Sequence, residues 1–306
     1  MDEKALHEMA VANLPSQICP LTQRPIEEPV VMHRDLSDWF PSTLQDMWDN
    51  RLANIVVVER EARDQYYKGL KGKTIVMAFS GGLDSTTVLH WCTKLFGSVH
   101  CLMFDYGQRH AVELEMATEY LRLFKSYAGD HLDCTVQNRK IDMTTINTLA
   151  DSSLTRTDKE PPRNQTDEEM ASEIPNTFVP GRNVYFMTAL AQHAFAVGAR
   201  HIAMGVNVLD YSGYPDCRPE FVVAMRKALS IGVFDGHDIG VQAPLMQLNK
   251  KSIIRLGNHL GVEYADTHSC YNGVKGGCGE CDSCILRRRA FEELGGPDPA
   301  IAKWHG

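Results

Sequence analysis

The sequence predicts an α/β protein built on a doubly wound parallel sheet, with a helical N-terminal extension before it and a small metal-binding subdomain after it. Three observations lead there. From Lys73 onward, short apolar runs alternate with segments of helical periodicity. A glycine turn joins the first such run to the first helix. Four cysteines crowd between Cys270 and Cys284. The implied divisions are an extension at 1–70, an α/β domain at 71–262 and a C-terminal region at 263–306.

Within the extension, Pro15–Val31 is rich in Pro, Gln and Glu and has no period. Leu44, Met47, Leu52, Ile55 and Val58 approximate helical spacing and predict a helix from about Ser42 to Gly69. No chemical motif occurs here, and the segment reads as a packing or interaction extension of otherwise unknown role. Thr74–Phe79 is the short apolar run of a buried parallel strand. A helix follows from about Ser85 to Leu95, closed by Gly97. Val99–Phe104 is the second strand, Ala111–Tyr127 the next helix, and Cys134–Val136 the start of a third strand. Residues 151–175 are polar and include Pro161-Pro162 and Asp167-Glu168-Glu169; a stretch this long reads as a mobile lid or as a disordered segment. Asn183–Val197 is helical with Gly198 as its stop, and His201–Val206 is another strand. Asp216 and Pro219 open a helix that puts Phe221, Val222, Met225 and Leu229 on one face and ends at Gly232. Asn249 caps the next helix, whose Ile253, Ile254, Leu256 and Leu260 form an apolar stripe ended by Gly261.

Composition narrows the function classes. The chain has 306 residues, 43% of them hydrophobic, and a formal net charge of -8 at pH 7. That acidic balance argues against a protein that coats DNA or RNA, so no direct nucleic-acid partner is expected. No run of about 18 apolar residues occurs, and Met1-Asp2-Glu3-Lys4 lacks the apolar core of a signal peptide. The expectation is therefore a cytoplasmic protein with no membrane partner. Cys19, Cys92, Cys101, Cys134 and Cys217 are scattered, while Cys270, Cys278, Cys281 and Cys284 are clustered. This pattern suits a metal site in a reducing compartment better than a disulfide framework.

The turn after the first strand reads Ser80-Gly81-Gly82-Leu83-Asp84-Ser85-Thr86-Thr87. Glycines let backbone N–H groups approach an anion, and the following helix presents its unpaired amides to the same point. Ser80, Ser85 and Thr86 add hydroxyls. A carboxylate is repelled by phosphate, so Asp84 holds Mg²⁺ or orders the loop. Neither the Walker spacing nor the Gly-x-Gly-x-x-Gly spacing of dinucleotide folds is present.

Two successive Cys-x-x-Cys steps, with Gly276, Gly277 and Gly279 nearby, can wrap four thiolates around one ion. Four sulfur ligands with no open position indicate structural Zn²⁺, with an iron–sulfur cluster as the alternative. Lys275, Arg287, Arg288 and Arg289 either screen the tetrathiolate or form a solvated helix face.

Four further strings fall at predicted strand ends or loops, where doubly wound folds place ligands. They are Phe104–His110, Pro175–Asn183, Asp210–Arg218 and Ser269–Gly273. Each mixes aromatic, amide and charged or polar side chains. Aromatics could sandwich a flat heterocycle, and arginine could pair with a carboxylate. Taken singly, such strings are as easily read as turns or surface ion pairs.

The Ser-Gly-Gly-x-Asp-Ser string resembles the pyrophosphatase loop of the ATP-pyrophosphatase superfamily. Together with Phe104-Asp105-Tyr106-Gly107-Gln108-Arg109-His110, Pro175–Asn183, Ser212–Arg218 and the cysteine set, it resembles the 7-cyano-7-deazaguanine synthase family from about Thr74 to Arg288. The extension of about 70 residues departs from the compact members of that family. The resemblance implies a Rossmann-like sheet of the adenine-nucleotide hydrolase type and a homodimer. It implies conversion of 7-carboxy-7-deazaguanine, ammonia and ATP to the nitrile in queuosine biosynthesis, through an adenylated acid and an amide. Phe79, Ser80, Gly81, Gly82, Leu83, Asp84, Ser85, Thr86 and Thr87 would then bind ATP with Mg²⁺, and Asp84, Ser85 and Lys250 would serve the chemistry. Tyr106, Gln108, Arg109, Arg182, Asn183, Asp210, Tyr211, Ser212, Tyr214, Asp216 and Arg218 would hold the deazaguanine. Two other readings remain: a related adenylating enzyme that stops at the amide or transfers the base to a macromolecule, and a non-catalytic zinc-bearing binding module.

Overall fold

The computed structural model describes residues 69–305 apart from 109–111, 129–132, 146–148, 150, 157, 166–173 and 209–213. The helix expected at 42–69 lies almost wholly outside the described residues.

Five parallel strands form one sheet: β1 (Thr74–Ala78), β2 (Ser98–Asp105), β3 (Thr135–Asp142), β4 (His201–Ala203) and β5 (Gly240–Gln242). Their order is β3-β2-β1-β4-β5. The helices are α1 (Leu83–Leu95), α2 (Val112–Ala128), α3 (Arg182–Ala196), α4 (Pro219–Gly232), α5 (Lys250–Leu260), α6 (Asp282–Glu292) and α7 (Pro299–His305). The doubly wound parallel sheet expected from the alternating runs is the fold that forms.

The period-two alternation of β1 divides the core. Ile75 and Met77 pack with residues of α1, α2, α5 and α6, while Val76 packs with residues of α3 and α4. Both faces of the sheet are thus covered, which is why its central strands read as continuous apolar runs. Among the described residues no helix is long and apolar enough to cross a membrane.

Winding runs outward from β1 through β2 to β3, then returns across β1 to β4 and β5. The reversal leaves a crevice beyond the carboxyl ends of β1 and β4, where ligands of open α/β sheets bind. Two glycines allow the close approaches there. Gly81 has φ +75°, and a Cβ on it would lie 2.7 Å from Ala117 Cα. A Cβ on Gly205, just past β4, would lie 3.2 Å from the Ser85 amide nitrogen.

Asn249 caps α5 as expected, its side chain accepting from the Ser252 amide at 2.9 Å. Strand β5 was not foreseen; three residues, one of them glycine, give no alternation to read. Arg287 requires a correction. It is buried and makes an ion pair to Asp298 at 2.6 Å, with further bonds to Thr267 Oγ1 and Tyr264 O. It therefore neither screens the thiolates nor belongs to a solvated face.

Candidate active site

The crevice opens into a cavity of about 710 Å³, within the size range of small-molecule sites. Its lining comes from the glycine turn, the ends of β2 and β4, the start of α3, and the segments at 174–177 and 268–271.

Phe79 carries the β1 ladder one residue further, donating its N–H to Leu102 O at 2.9 Å. Beyond it the chain turns on itself. Ser85 Oγ accepts the Ser80 amide at 3.2 Å, lies 3.1 Å from Ser80 Oγ and donates to Gly82 O. Ser80 Oγ accepts from Gly82 N, and Ser269 Oγ accepts from Leu83 N, both at 3.3 Å. Hydroxyls thus sit on two of the amides that an anion would use. The first residues of α1 present Asp84, and Lys250 reaches it from the first turn of α5. Lys250 Nζ lies 2.9 Å from each Asp84 carboxylate oxygen, and Asn207 Nδ2 lies 3.5 Å from Asp84 Oδ2. Two remote segments therefore converge on one half-buried ion pair.

Three residues of the expected ATP set stand back from the cavity. Thr87 is fully buried and bonded to Leu83 O and Tyr264 OH, and Thr86 is fully buried with its amide donating to Gly82 O. Neither side chain lines the cavity. Gly81 does not line it either; its part is the close approach to α2 described above.

The opposite wall is aromatic. Phe104 and Phe186 stack at 4.2 Å with 9° between planes, and Tyr106 lies 5.8 Å from Phe186. The Arg182 guanidinium sits 5.8 Å from the Tyr106 ring and 5.7 Å from the Tyr214 ring. Burial opposes its charge, but Tyr106, Tyr214 and Asp216 more than compensate and hold it firmly protonated. Tyr214 OH donates to Thr177 Oγ1 at 2.7 Å. Gln108 lines the cavity but braces its own turn, accepting from Tyr106 N at 3.0 Å and donating to Phe104 O at 3.2 Å. Asn183 also lines the cavity, anchored by Asp216, which takes its N–H at 3.2 Å and its side-chain amide at 3.1 Å.

Two of the expected substrate residues stand elsewhere. Asp216 is buried behind the wall, where it caps the start of α3; burial pushes its carboxyl up, and Arg182 and Asn183 hold it down. Arg218 is exposed at the N-terminus of α4 and does not reach the cavity. Arg109, Asp210, Tyr211 and Ser212 lie outside the described residues. Sequence reasoning missed Asn207, Phe186 and Glu113, all of which line the cavity. Asn207 had a signal, since it follows a strand at its carboxyl end. Phe186 and Glu113 had none, because each looks like an ordinary residue of an amphipathic helix.

The four clustered cysteines converge, with their Sγ atoms within 4.8 Å of one another. A tetrahedral zinc with bonds of about 2.3 Å would set them about 3.8 Å apart, so the set fits one ion after a small contraction. Hydrogen bonds among the thiols pull Cys270 below its ordinary range and push Cys281 and Cys284 above theirs, so the three act as one bonded group. Cys278 Sγ also accepts from Asn272 Nδ2 and Cys281 N, each at 3.3 Å. Cys270 and Tyr271 line the main cavity, so the two sites share a wall. The segment between 151 and 175 touches this region where it is described: Asn164 N donates to Glu280 O at 2.8 Å, and Ser153 N donates to Asn176 O at 2.9 Å.

A sequence profile of the family described as "Queuosine biosynthesis protein QueC" matches residues 74–295. The chain is 44% identical over 232 residues to a 7-cyano-7-deazaguanine synthase of Thermoplasma acidophilum, an alignment covering 75% of this chain and 92% of that one. It is 41% identical over 233 residues to the synthase of the same name from an Anaeromyxobacter species, covering 75% and 96%. A third, from a Cyanothece species, is 42% identical over 233 residues, covering 74% and 97%.

Proposed function

The chain belongs to the QueC family, and from that premise we propose that it is an ATP-dependent carbon–nitrogen ligase that converts 7-carboxy-7-deazaguanine and ammonia to 7-cyano-7-deazaguanine for queuosine biosynthesis. The observation that carries this reading is the Asp84–Lys250 pair at the mouth of the Ser80–Ser85 turn, facing an aromatic, arginine-bearing wall across one cavity.

The carboxylate oxygen is a poor leaving group at neutral pH; its attack on the α phosphate of ATP breaks the bond to the β phosphate, releases pyrophosphate and converts it to a good one. Attack of ammonia then forms the C–N bond, expels AMP and releases a proton. Adenylation of the amide oxygen, with loss of a proton, followed by departure of AMP and the second nitrogen proton, leaves the nitrile. The amides and hydroxyls of Ser80, Gly82, Leu83 and Ser85 would bind the pyrophosphate, exchanging their internal bonds for phosphate oxygens. Asp84 would hold Mg²⁺, which supplies charge neutralisation between the phosphates. Lys250, released from Asp84, would then stabilise charge on the α phosphate. Arg182 and Asn183, with Tyr106 and Tyr214, would hold the base. Cys270, Cys278, Cys281 and Cys284 would hold Zn²⁺, which fixes the fold of the shared wall. A homodimer in the cytoplasm completes the reading.

Purified protein mixed with MgATP, ammonium and 7-carboxy-7-deazaguanine, followed by mass spectrometry, tests it. The expected products are the nitrile, AMP and pyrophosphate. Amide alone would restrict the enzyme to the first activation, and an adenylated acid with no nitrogen product would point to another acceptor. A folded, metal-loaded sample that turns over no nucleotide would sink the assignment.

A further inference from the structure

Glu113 stands in the first turn of α2 and lines the cavity, yet it has no part in the roles above. Its carboxyl is half-buried. Desolvation pushes it up to about 7, and the Arg182 guanidinium nearby opposes that rise without cancelling it. The beginning of a helix ordinarily suits an acid, so the cost arises from the cavity wall, with Phe104, Tyr106 and Phe186. A carboxyl held at such cost needs partners, and a ligand can supply them. Arg182 shows the same incompleteness. It lines the same cavity, and its Nε is buried with no hydrogen-bond partner.

An arginine and a carboxylate side by side offer one donor group and two acceptor oxygens. The complementary edge is one acceptor followed by two donors. A 2-amino-4-oxopyrimidine ring presents that edge as a carbonyl oxygen, a ring N–H and an exocyclic amine. A 6-aminopurine presents one donor and one acceptor there and would leave a protein group unmatched. The stacked pair Phe104–Phe186 and the Tyr106 ring supply a face for a flat heterocycle beside this edge.

We propose that Glu113 is a specificity-determining residue whose carboxylate takes the ring N–H and exocyclic amine of a 2-amino-4-oxo-pyrrolopyrimidine base, with Arg182 on the carbonyl oxygen. The assignment rests on the substrate reading above and adds the residue that selects a guanine-type base over an adenine-type one.

Calorimetric titration of the full chain tests it with two ligands, 7-carboxy-7-deazaguanine and its analogue lacking the 2-amino group. The native protein should prefer the first. Glu113→Gln should weaken the first by roughly 10- to 100-fold, the range that charge-assisted hydrogen bonds supply, and bring the two ligands within about threefold of each other. ATP affinity should not change. Glu113→Asp, which retains the carboxyl, should keep part of the preference. Equal losses for both ligands, or a fall in ATP affinity alongside, would overturn the assignment alone. Failure of the native protein to bind the carboxylated base would overturn the substrate reading, and the assignment with it.

Discussion

At the loop end of the cavity the polar groups bond to one another, whereas on the aromatic wall Asn183, Gln108 and Tyr214 are each held by a fixed partner and Arg182 Nε has none. Lys250 holds both oxygens of Asp84, and Ser80 and Ser85 close on the turn that carries them. On the wall, Asn183 is fixed by Asp216, Gln108 by its own turn, and Tyr214 by Thr177. The difference concerns what a ligand must displace. A triphosphate bound as proposed would have to exchange internal bonds for its own, so the loop end would be rearranged by binding. A flat base bound as proposed would meet a wall where Asn183, Gln108 and Tyr214 are already positioned, so less freedom would be lost to binding there.

The largest expected effect tests the loop end. Asp84→Ala should lower kcat roughly 10³-fold, about 4 kcal/mol, because it removes both the proposed Mg²⁺ ligand and the partner that places Lys250. Calorimetric affinity for 7-carboxy-7-deazaguanine should stay within about threefold of native if the two ends are built independently. Full turnover in this variant would take Asp84 out of the reaction. A parallel loss of base affinity would break the comparison.

A second test concerns what stands behind the loop. Arg287 on α6 is bonded to Asp298, lies 3.5 Å from Ser269 Oγ, and Ser269 Oγ accepts the Leu83 amide. The cysteine-bearing region is in this way joined to the start of α1. Asp298→Ala leaves a buried guanidinium without its counter-ion and should cost about 3 kcal/mol of stability, read by chemical denaturation. KM for ATP should rise with it, while KM for the base stays near native. A stability loss with unchanged KM for ATP would show that the loop does not depend on this support.

These contrasts also explain which parts could be read from sequence. The turn at Ser80–Ser85 and the cysteines at 270–284 are contiguous, so spacing alone reveals them. Strands β1 and β2 announce themselves as apolar runs because they are buried; the mostly exposed β3 shows only its start, and the three-residue β5 gives no pattern. The wall is different. Phe104, Tyr106, Arg182, Phe186 and Asn207 come from three segments, and the fold alone brings them together. Thr86, Thr87, Asp216 and Arg218 sit inside recognisable strings, yet the helical or turn geometry of those strings points their side chains elsewhere. Arg287 reads as surface charge beside Arg288 and Arg289, and only the position of Asp298 makes it a core residue.

The smallest expected effect separates a wall residue that is structurally paired from one kept for a ligand. Glu113 has a folded value of about 7 against an ordinary 4.5, so the folded chain holds the proton more tightly than the unfolded chain. The sign follows from linkage: its contribution is fully present below about 4.5 and is lost as pH rises through about 7. Some solvent reaches the carboxyl, and the discounted loss is about 2 kcal/mol. His90 and His201, both pushed down to about 4 by burial, act in the opposite sense and lose their contribution as pH falls below 6.5. The native stability curve therefore mixes the two signs, and the measurement to make is the difference between native and Glu113→Gln across pH 4 to 8. That difference should fall between pH 4.5 and 7 and flatten above. A flat difference would mean that Glu113 is already paired in the empty protein and that the wall, like the loop, closes on itself. Saturating 7-carboxy-7-deazaguanine should abolish the fall, because two N–H donors favour the ionised carboxylate and remove the cost of burying it.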